Sequence, residues 1–328
     1  MDKEKAAEPK SDATGVGQIR TKPAGTNYGT GGQAVFAYGY GDSPSGVISK
    51  SNLVSSSGVV ASDRTGVGTA RTGPGGASYG IDKGIFGFGD SYASGETAVG
   101  MTNLVSNVGI ISADVSAVGT VRNQIGATSY GGDKAIFAYG NRTGIGHTNI
   151  SNKVSNTGVV ASDTTGVGTA RWLLGATEYG DGLGIFAYGI TAVGKVSMSN
   201  KINTSGVIAA DVTGVGTARG NLDGSTYGGD KGIFAYSGNP SGNDWGTVTN
   251  RVSNTGVIAS DGQAAGTARY NHMAASYGGD KSIFAYGSDG SNSINVSNLI
   301  SNTGNVGADV SGVGTARQEG AGAGYGYS

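Results

Sequence analysis

Short apolar runs alternate with glycine-rich polar stretches along almost the whole chain. In residues 269–317 this pattern predicts four strands: a small-residue stretch ending at Tyr277, Ser282–Tyr286, a run near Asn295–Ser301, and a run that ends before Asp309. The turns between them, Gly-Gly-Asp-Lys and Asn-Thr-Gly, are typical of hairpins because Gly and Asn adopt positive φ at low cost. No stretch keeps a 3.6-residue apolar period long enough to predict a substantial helix.

The second predicted strand of each unit carries two aromatic residues spaced by two, which is expected to place both rings on one face. Small residues between the rings would leave the other face flat. Burying each ring between stacked sheets contributes roughly 1.5–3 kcal/mol, whereas an isolated sheet of this size is marginally stable. The pairs are Phe36/Tyr38, Phe86/Phe88, Phe137/Tyr139, Phe186/Tyr188, Phe234/Tyr236 and Phe284/Tyr286.

The four-strand unit recurs with a period of about 50 residues. Its most regular part is the motif Gly-Val-Gly-Thr-Ala-Arg, whose seven copies, some of them loose, end at arginines that include Arg20. An Asp stands eight residues before each of these arginines, and a Tyr-Gly follows eight residues after. The later pairs are Asp63 and Arg71, Asp114 and Arg122, Asp163 and Arg171, Asp211 and Arg219, Asp261 and Arg269, and Asp309 and Arg317.

Units of this length with four antiparallel strands are typical of propeller blades. We therefore predict an all-β protein: a single β-propeller of four-stranded antiparallel blades over residues 12–328. The first-strand motif occurs seven times and the other strands six times, which favours six blades over seven. The extra first strand, at 317–328, would complete the N-terminal blade and close the ring. A ring of seven blades would need strands from a neighbouring chain.

The segment ARYNHMAASYGGDKSIFAYG, at 268–287, resembles the core of kelch-type propeller repeats. The resemblance extends over about residues 12–328 and implies the fold more than an activity. Two features depart from it: the second Gly after strand two is mostly replaced, as at Ser288, and the later Trp is absent from every copy. The dense Gly, Ser, Thr and Asn in near-identical units are also similar to repeat proteins of bacteriophage particles.

Composition and charge narrow the classes of function. The 328 residues carry a net charge of −1, so no basic surface for nucleic acid is indicated. No Cys is present, which excludes disulfides, thiolate metal sites and a Cys nucleophile. No window approaches the length of an apolar membrane span. The start, MDKEKAAEPKSD, has no apolar core and is not expected to be a signal peptide. Residues 1–11 are predicted to be a charged arm outside the repeat, either a solvated tail or a segment that rests on a partner subunit.

The residues do not suggest a catalytic constellation. His147 and His272 are the only histidines and lie in different units, and neither a metalloprotease motif nor a nucleophile elbow occurs. The copper centre that galactose oxidase carries on a kelch-type scaffold needs a Tyr–Cys cross-link, which the absence of Cys excludes. We therefore expect no enzyme activity, no cofactor and no metal, with calcium on Asp and carbonyl groups as one alternative. A lyase or hydrolase would depend on His272 or Asp244.

The loops between the second and third strands differ most between units and share one face of the predicted ring with the Asp-to-Arg segments. Sugar sites often combine an aromatic ring with amide and carboxylate groups, as these loops do. The alternative is ordinary loop packing. The repeated Asp and Arg residues are instead expected to pair with each other and to join the units. The candidate ligand residues are Trp245, Asp244, Asn243, Tyr92, Asp90, Asn141, Arg142 and Trp172.

These features predict a non-enzymatic structural or adhesive component of a virus particle, such as a phage tail fibre, a capsid decoration or another appendage. Its arm would attach to other virion proteins within an oligomeric assembly, and its loop face would contact a host-surface glycan. The alternative is a cytoplasmic kelch-like adaptor that binds a protein partner. The two interpretations differ in location, the virion in the first and the host cytoplasm in the second.

Overall fold

The computed structural model describes residues 32–42, 45–92, 97–239 and 242–326. This part of the chain contains 26 β-strands and no helix, which confirms the predicted all-β class. Over the same residues there is accordingly no helix of the length and apolar character needed to cross a membrane. The predicted charged arm at 1–11 and the first copy of the Asp–Arg motif lie outside the described residues.

The strands are short, and most have five residues or fewer. In the first half of the chain they are β1 (Gln33–Ala37), β2 (Tyr40–Asp42), β3 (Ser45–Val47), β4 (Ser51–Val54), β5 (Gly75–Tyr79), β6 (Lys83–Gly87), β7 (Thr102–Val105), β8 (Gly126–Tyr130), β9 (Lys134–Ala138), β10 (Asn141–Arg142), β11 (Gly146–His147), β12 (Ser151–Val154) and β13 (Gly175–Tyr179). In the second half they are β14 (Leu183–Ala187), β15 (Ile190–Thr191), β16 (Gly194–Lys195), β17 (Ser199–Ile202), β18 (Asp223–Tyr227), β19 (Lys231–Asn239), β20 (Gly242–Val252), β21 (Gly262–Gln263), β22 (Met273–Tyr277), β23 (Lys281–Ala285), β24 (Ser297–Ile300), β25 (Arg317–Gln318) and β26 (Ala321–Tyr325).

Six antiparallel sheets repeat one strand order, in which the second strand of the unit lies between the first and the third. The sheets are β26-β1-β4, β5-β6-β7, β8-β9-β12, β13-β14-β17, β18-β19-β20-β21 and β22-β23-β24. In one of them the first strand comes from the far end of the chain: β26 pairs with β1 from Gln33 opposite Tyr325 to Ala37 opposite Ala321. Small additional pairings, β10-β11, β15-β16 and β25-β2-β3, lie in the loops.

Five of the six sheets have three regular strands where four are predicted, and β21, the fourth strand of the other sheet, lies after Asp261 and so beyond the predicted segment. The segment predicted as the fourth strand is held by isolated bridges instead, such as Val154 with Val160. Its outer edge is secured by a side chain, because Asn152 donates a hydrogen bond from Nδ2 to the carbonyl of Ala161 (3.0 Å). This bond occupies a carbonyl and an equivalent Asn occurs in every unit, so the segment need not extend a regular ladder.

The six first strands contact one another in a cycle, β5 to β8, β13, β18, β22, β26 and back to β5. The residue two positions before each first strand donates its main-chain N–H to the carbonyl of the equivalent residue in the preceding sheet. These six residues all have φ between 49° and 60°. The bonds run from Gly73 to Glu319 (2.7 Å), Gln124 to Gly73 (2.8 Å), Leu173 to Gln124 (3.3 Å), Asn221 to Leu173 (3.0 Å), Asn271 to Asn221 (3.1 Å) and Glu319 to Asn271 (2.9 Å). The cycle of hydrogen bonds therefore closes on itself.

Each aromatic pair serves two interfaces, and the expectation that both rings share one face is wrong. Phe137 meets Phe88 of the preceding sheet edge-to-face at 5.3 Å, whereas Tyr139 meets Phe186 of the following sheet at 5.3 Å. The reason is the backbone: β9 ends at Ala138, and Tyr139 has a φ of 63°, which turns its ring to the opposite side. The cores therefore lie between neighbouring sheets, and each sheet contributes a ring to both.

Candidate functional site

The repeated Asp residues bind the repeated Thr of the preceding unit. The carboxylate of Asp211 accepts hydrogen bonds from the main-chain N–H of Thr169 (3.0 Å), from its hydroxyl (2.7 Å) and from Asn200 Nδ2 (2.9 Å). Partial burial opposes ionisation, but these hydrogen bonds lower the pKa of Asp211 below its usual value. Gly168 has a φ of 74°, and a Cβ there would lie 2.5 Å from Asp211 Oδ1, so the motif requires Gly. The equivalent hydrogen-bonded Asp–Thr pairs of the other units are Asp63–Thr315, Asp114–Thr69, Asp163–Thr120, Asp261–Thr217 and Asp309–Thr267.

The repeated Arg residues are buried donors between the sheets. Arg171 is 0% exposed and donates from Nε to the carbonyl of Tyr188 (2.9 Å) and from Nη1 to that of Thr169 (3.2 Å). Its Nη2 donates to Asn200 Oδ1 (2.7 Å), and the guanidinium lies over the ring of Tyr139, 4.3 Å from the centroid. Arg71, Arg122, Arg219, Arg269 and Arg317 lie over the equivalent rings of their preceding units.

The predicted pairing of these Asp and Arg residues is present for Arg171 and Asp211 of the same unit as an ion pair, but without the bidentate hydrogen bonds expected of it. Arg171 Nη1 and Asp211 Oδ1 are 3.9 Å apart, which is too long for a hydrogen bond. Asp163, eight residues before Arg171 in sequence, binds Thr120 instead. The Arg lies inside the sheet boundary and the Asp lies in the outer connection, so Thr and Asn side chains link them. Both groups are used by the scaffold and are not open to a ligand.

Asp90 and Tyr92 lie in the loop after β6. Asp90 is 1% exposed, and its carboxylate accepts hydrogen bonds from the main-chain N–H groups of Tyr92 (3.0 Å) and Thr97 (2.8 Å). Its other oxygen accepts a hydrogen bond from Asn123 Nδ2 in the next unit (3.1 Å). Asp90 therefore organises the loop and is not exposed to a ligand, while the side chain of Tyr92 is 46% exposed.

Arg142 lies at an open groove between two units. It belongs to the β10-β11 hairpin, where Asn141 exchanges main-chain hydrogen bonds with Asn123 (2.9 Å each). Among the described residues, no hydrogen bond or ion pair engages the Arg142 guanidinium. The side chains of Val121 and Ile145 beside it are 43% and 69% exposed. The groove has a volume of about 280 Å³, and we call it the Arg142 groove; it is lined by Thr97, Ala98, Thr120, Val121, Arg142, Thr143 and Ile145.

Of the two Trp candidates, the structure describes the side chain of Trp172 and not that of Trp245. Trp172 stacks on His147 with ring centroids 5.3 Å apart and an interplanar angle of 14°, so its ring is used in a contact between units. This arrangement agrees with ordinary loop packing. Asn243, Asp244 and Trp245 lie in β20, but their side chains are outside the described part of the structure. The structure thus brings Asp90, Tyr92, Asn141, Arg142 and Trp172 onto adjoining units, with Arg142 at the open position.

A second polar site lies where the first strands begin, and sequence patterns did not mark it as a ligand site. The strands enclose a cavity of about 100 Å³, which we call the first-strand cavity; its polar side includes Asp223, Asn271, His272 and Glu319. The carboxylate of Asp223 accepts main-chain hydrogen bonds from Gly224 (2.8 Å) and Ala274 (3.0 Å). Burial outweighs these bonds and raises the pKa of Asp223 to about 7.

His272 stands at the position that Ile125, Leu174 and Leu222 occupy in three other units. Its ring lies between Tyr236 and Phe284, at centroid distances of 5.3 and 5.2 Å, and its side chain is 4% exposed. In the part of the chain that the structure describes, neither ring nitrogen has a hydrogen-bond partner. Burial, assisted by the charge of Arg269, lowers the pKa of His272 well below its usual value. The imidazole is therefore neutral at pH 7.

We expect His272→Leu to stabilise the protein increasingly as the pH falls. Because the unfolded chain protonates near pH 6.5 and the folded chain does not, His272 costs stability below that pH. The free-energy difference between the variant and the wild type should grow by up to about 2 kcal/mol from pH 7 to pH 5. Asp223 acts in the opposite direction in both proteins, so the difference isolates His272. Urea unfolding at three pH values measures it, and a constant difference would contradict the buried, neutral imidazole.

Comparison with protein-family models finds no match, and comparison with curated proteins finds none either. Function is therefore inferred from the chemistry of the described residues. In this part of the chain no group of three or more His, Cys, Asp or Glu side chains is placed to hold a metal ion. The Arg142 groove offers a cation, hydroxyl groups and aliphatic surface, and the first-strand cavity offers a carboxyl group and an imidazole.

Proposed function

We propose that the chain is a six-bladed β-propeller, related in its repeats to the kelch type, that acts as a binding scaffold and not as an enzyme. The closed cycle of six first strands and six main-chain hydrogen bonds supports this architecture. Each sheet would be one blade, with the first strand innermost. The C-terminal strand β26 would complete the blade of β1 and β4 and so close the ring within one chain.

The adhesive function is the one that the distribution of polar groups supports best. The repeated Asp, Thr, Asn and Arg side chains are engaged with one another at the sheet boundaries. The Arg142 guanidinium, in contrast, lies outside the repeated pattern and faces a groove where two units meet. This single observation carries the proposal that the loop face binds a ligand. We assign the chain to a virus particle, as a fibre, decoration or appendage subunit, on the further ground of its phage-like repeat composition.

A host-surface glycan with an acidic sugar fits the Arg142 groove. Arginine binds carboxylate groups through two parallel hydrogen bonds, which are stronger than bonds between neutral groups. Thr143 lines the same groove, as do Val121 and Ile145, whereas the hydroxyl of Thr120, also in the lining, is bonded to Asp163. Hydroxyl groups can bond the sugar hydroxyls, and the aliphatic chains can cover its C–H surface.

The test is glycan binding by wild-type protein and by Arg142→Ala. Loss of one bidentate charged contact of about 1.5–3 kcal/mol should weaken binding by about tenfold or more. Lys83→Ala is the matched control, because Lys83 pairs with its neighbour Asp82 (2.7 Å) in a turn between first and second strands, away from the groove. Binding that survives Arg142→Ala would refute the site. Capture of a defined cytoplasmic protein, lost on substitution in these loops, would favour the adaptor, and absence of the chain from purified particles would exclude the virion assignment.

A further inference from the structure

We propose that the first-strand cavity binds a protonated primary amine between Asp223 and His272. This site is separate from the Arg142 groove, and the proposal does not depend on the glycan function. Both residues begin adjoining units of the ring, and both line the same cavity.

The two residues depart from the repeat at positions where the scaffold needs neither of them. Three other units have Gly where Asp223 stands, namely Gly75, Gly126 and Gly175. Three units have Ile125, Leu174 and Leu222 where His272 stands, and these side chains pack into the hydrophobic cores between sheets. In these two adjoining units a carboxylic acid takes the place of a glycine and an imidazole takes the place of an aliphatic side chain. Burying these polar groups costs stability. A ligand would supply the compensating contacts.

His272 supplies the observation that points to a ligand. The side chain is 4% exposed and lines the cavity, yet neither ring nitrogen has a hydrogen-bond partner among the described residues. A neutral imidazole has one donor and one acceptor nitrogen. An unsatisfied buried acceptor costs about 1–3 kcal/mol, and an N–H group of a bound ligand would remove that cost.

The charge of the cavity selects a cation. Its described lining contains the carboxyl groups of Asp223 and Glu319 and neither Lys nor Arg. Glu319 already accepts hydrogen bonds from the Thr72 hydroxyl (2.6 Å) and from Asn271 Nδ2 (2.9 Å). Asp223 accepts only main-chain N–H groups, and burial without a nearby cation raises its pKa to about 7. A bound ammonium group would favour the ionised carboxylate.

An amine fits this cavity better than a metal ion does. No three metal-binding side chains of the described residues are grouped here, whereas a primary ammonium has three N–H donors for a carboxylate, an imidazole and a main-chain carbonyl. The opposite side of the cavity is apolar, with Pro74, Ile125 and Leu174 in the lining. That side suits the methylene groups attached to the nitrogen. The volume of about 100 Å³ admits the head of an alkylammonium group.

The experiment titrates the wild-type chain with methylammonium and, separately, with Nα-acetyl-lysine amide. The carboxyl ¹³C signal of Asp223 and the ring ¹⁵N signals of His272 report binding. We expect a millimolar Kd for either probe, because so few atoms make contact, and tighter binding as the pH rises through 7. Binding of methylammonium alone would indicate a free amine, and preference for the lysine derivative would indicate a lysine side chain of a partner. Both results support the site.

Asp223→Gly restores the residue that three other units carry, so it is expected to fold, and it should bind either probe at least about tenfold more weakly. His272→Leu, with the residue of two other units, should weaken binding as measured by the carboxyl ¹³C signal of Asp223. Asp280→Asn, in a turn where Asp280 pairs with Lys281 (2.8 Å), is the control and should bind like wild type. Equal binding by wild type and Asp223→Gly, or no binding by wild type at 100-fold the expected millimolar Kd, overturns the proposal.

Discussion

Removal of residues 317–328 is expected to abolish cooperative folding of the whole chain. The deletion takes away β26, whose Ala321, Ala323 and Tyr325 are buried against β1 and the next sheet. It also removes Glu319, which donates one and accepts another of the six hydrogen bonds in the closed cycle. The loss of more than about 5 kcal/mol would equal the lower end of the total stability of a typical protein. Circular dichroism and size-exclusion chromatography would detect unfolding or association through the exposed edge of β1.

The matched control is a chain without residues 1–31. In the described part of the chain the six sheets take their strands from residues 33–325, so this deletion removes none of those strands and should destabilise the protein far less than removal of 317–328. A chain that lacks 317–328 yet remains monomeric and unfolds with the wild-type midpoint would contradict the role assigned to β26. Equal damage from both deletions would also contradict it.

Arg171→Ala should destabilise the protein by about 3–5 kcal/mol. The side chain is 0% exposed, and its loss leaves the carbonyls of Tyr188 and Thr169 and the amide oxygen of Asn200 without their buried donor. The contact with the face of Tyr139 is lost as well. Arg171→Lys should recover little of this, because an ammonium cannot reproduce the planar fork of donors. Equilibrium unfolding in urea gives the free-energy change.

The control for Arg171 is Lys83→Ala, which removes an exposed pair with Asp82 and should change stability by less than about 1 kcal/mol. The equivalent substitutions at Arg122 and Arg219 should also destabilise the protein, because both guanidinium groups lie over a ring and donate from Nε and Nη1 to carbonyls. The cost at Arg219 should be smaller, because its Nη2 has no hydrogen-bond partner among the described residues. A cost at Arg171 no larger than that at Lys83 would show that the buried guanidinium does not hold the boundary.

Much of the fold could be predicted from the sequence because a similar unit of about 50 residues occurs six times. Period-two patterns and hairpin turns predicted the strands, and the extra first-strand copy at 317–328 predicted a segment that could complete the N-terminal unit. Details set by backbone conformation were not predictable. The rings of Phe137 and Tyr139 face opposite sheets because Tyr139 has a positive φ, which an alternating pattern cannot reveal. The segment predicted as the fourth strand makes only isolated bridges, such as Val154 with Val160, and its Ala161 carbonyl is bonded by the side chain of Asn152.

The candidate sites were predictable only in part, because they depend on contacts between units that the sequence does not reveal. Matched Asp and Arg residues suggested ion pairs, and Arg171 and Asp211 form one at 3.9 Å. The hydrogen bonds from Thr169 of the preceding unit to Asp211 could not be predicted, because the spacing along the sequence does not reveal contacts between units. The loops were singled out because they vary between units, but the burial of Asp90 and the opening beside Arg142 depend on the neighbouring unit. Asp223 and His272 were visible only as departures from the repeat. Their shared cavity appears once the ends of the first strands are brought together.

A disulfide between β1 and β26 would show whether the six sheets close within one chain. Gly32 donates its main-chain N–H to Gly326, so the alternating register makes Val35 and Ala323 a non-hydrogen-bonded pair. Such pairs have Cα atoms about 4.5 Å apart, within the range for a disulfide. The chain has no Cys of its own, so a pair introduced here has no competing thiol.

The measurement is the mass of oxidised Val35→Cys/Ala323→Cys protein under non-reducing conditions, beside a Val35→Cys/Ala127→Cys control. Ala127 lies in β8, which does not pair with β1, and the control should stay reduced. Closure within the chain predicts a monomer with one internal disulfide. Disulfide-linked dimers or longer chains, or a monomer whose two thiols stay free, would contradict it.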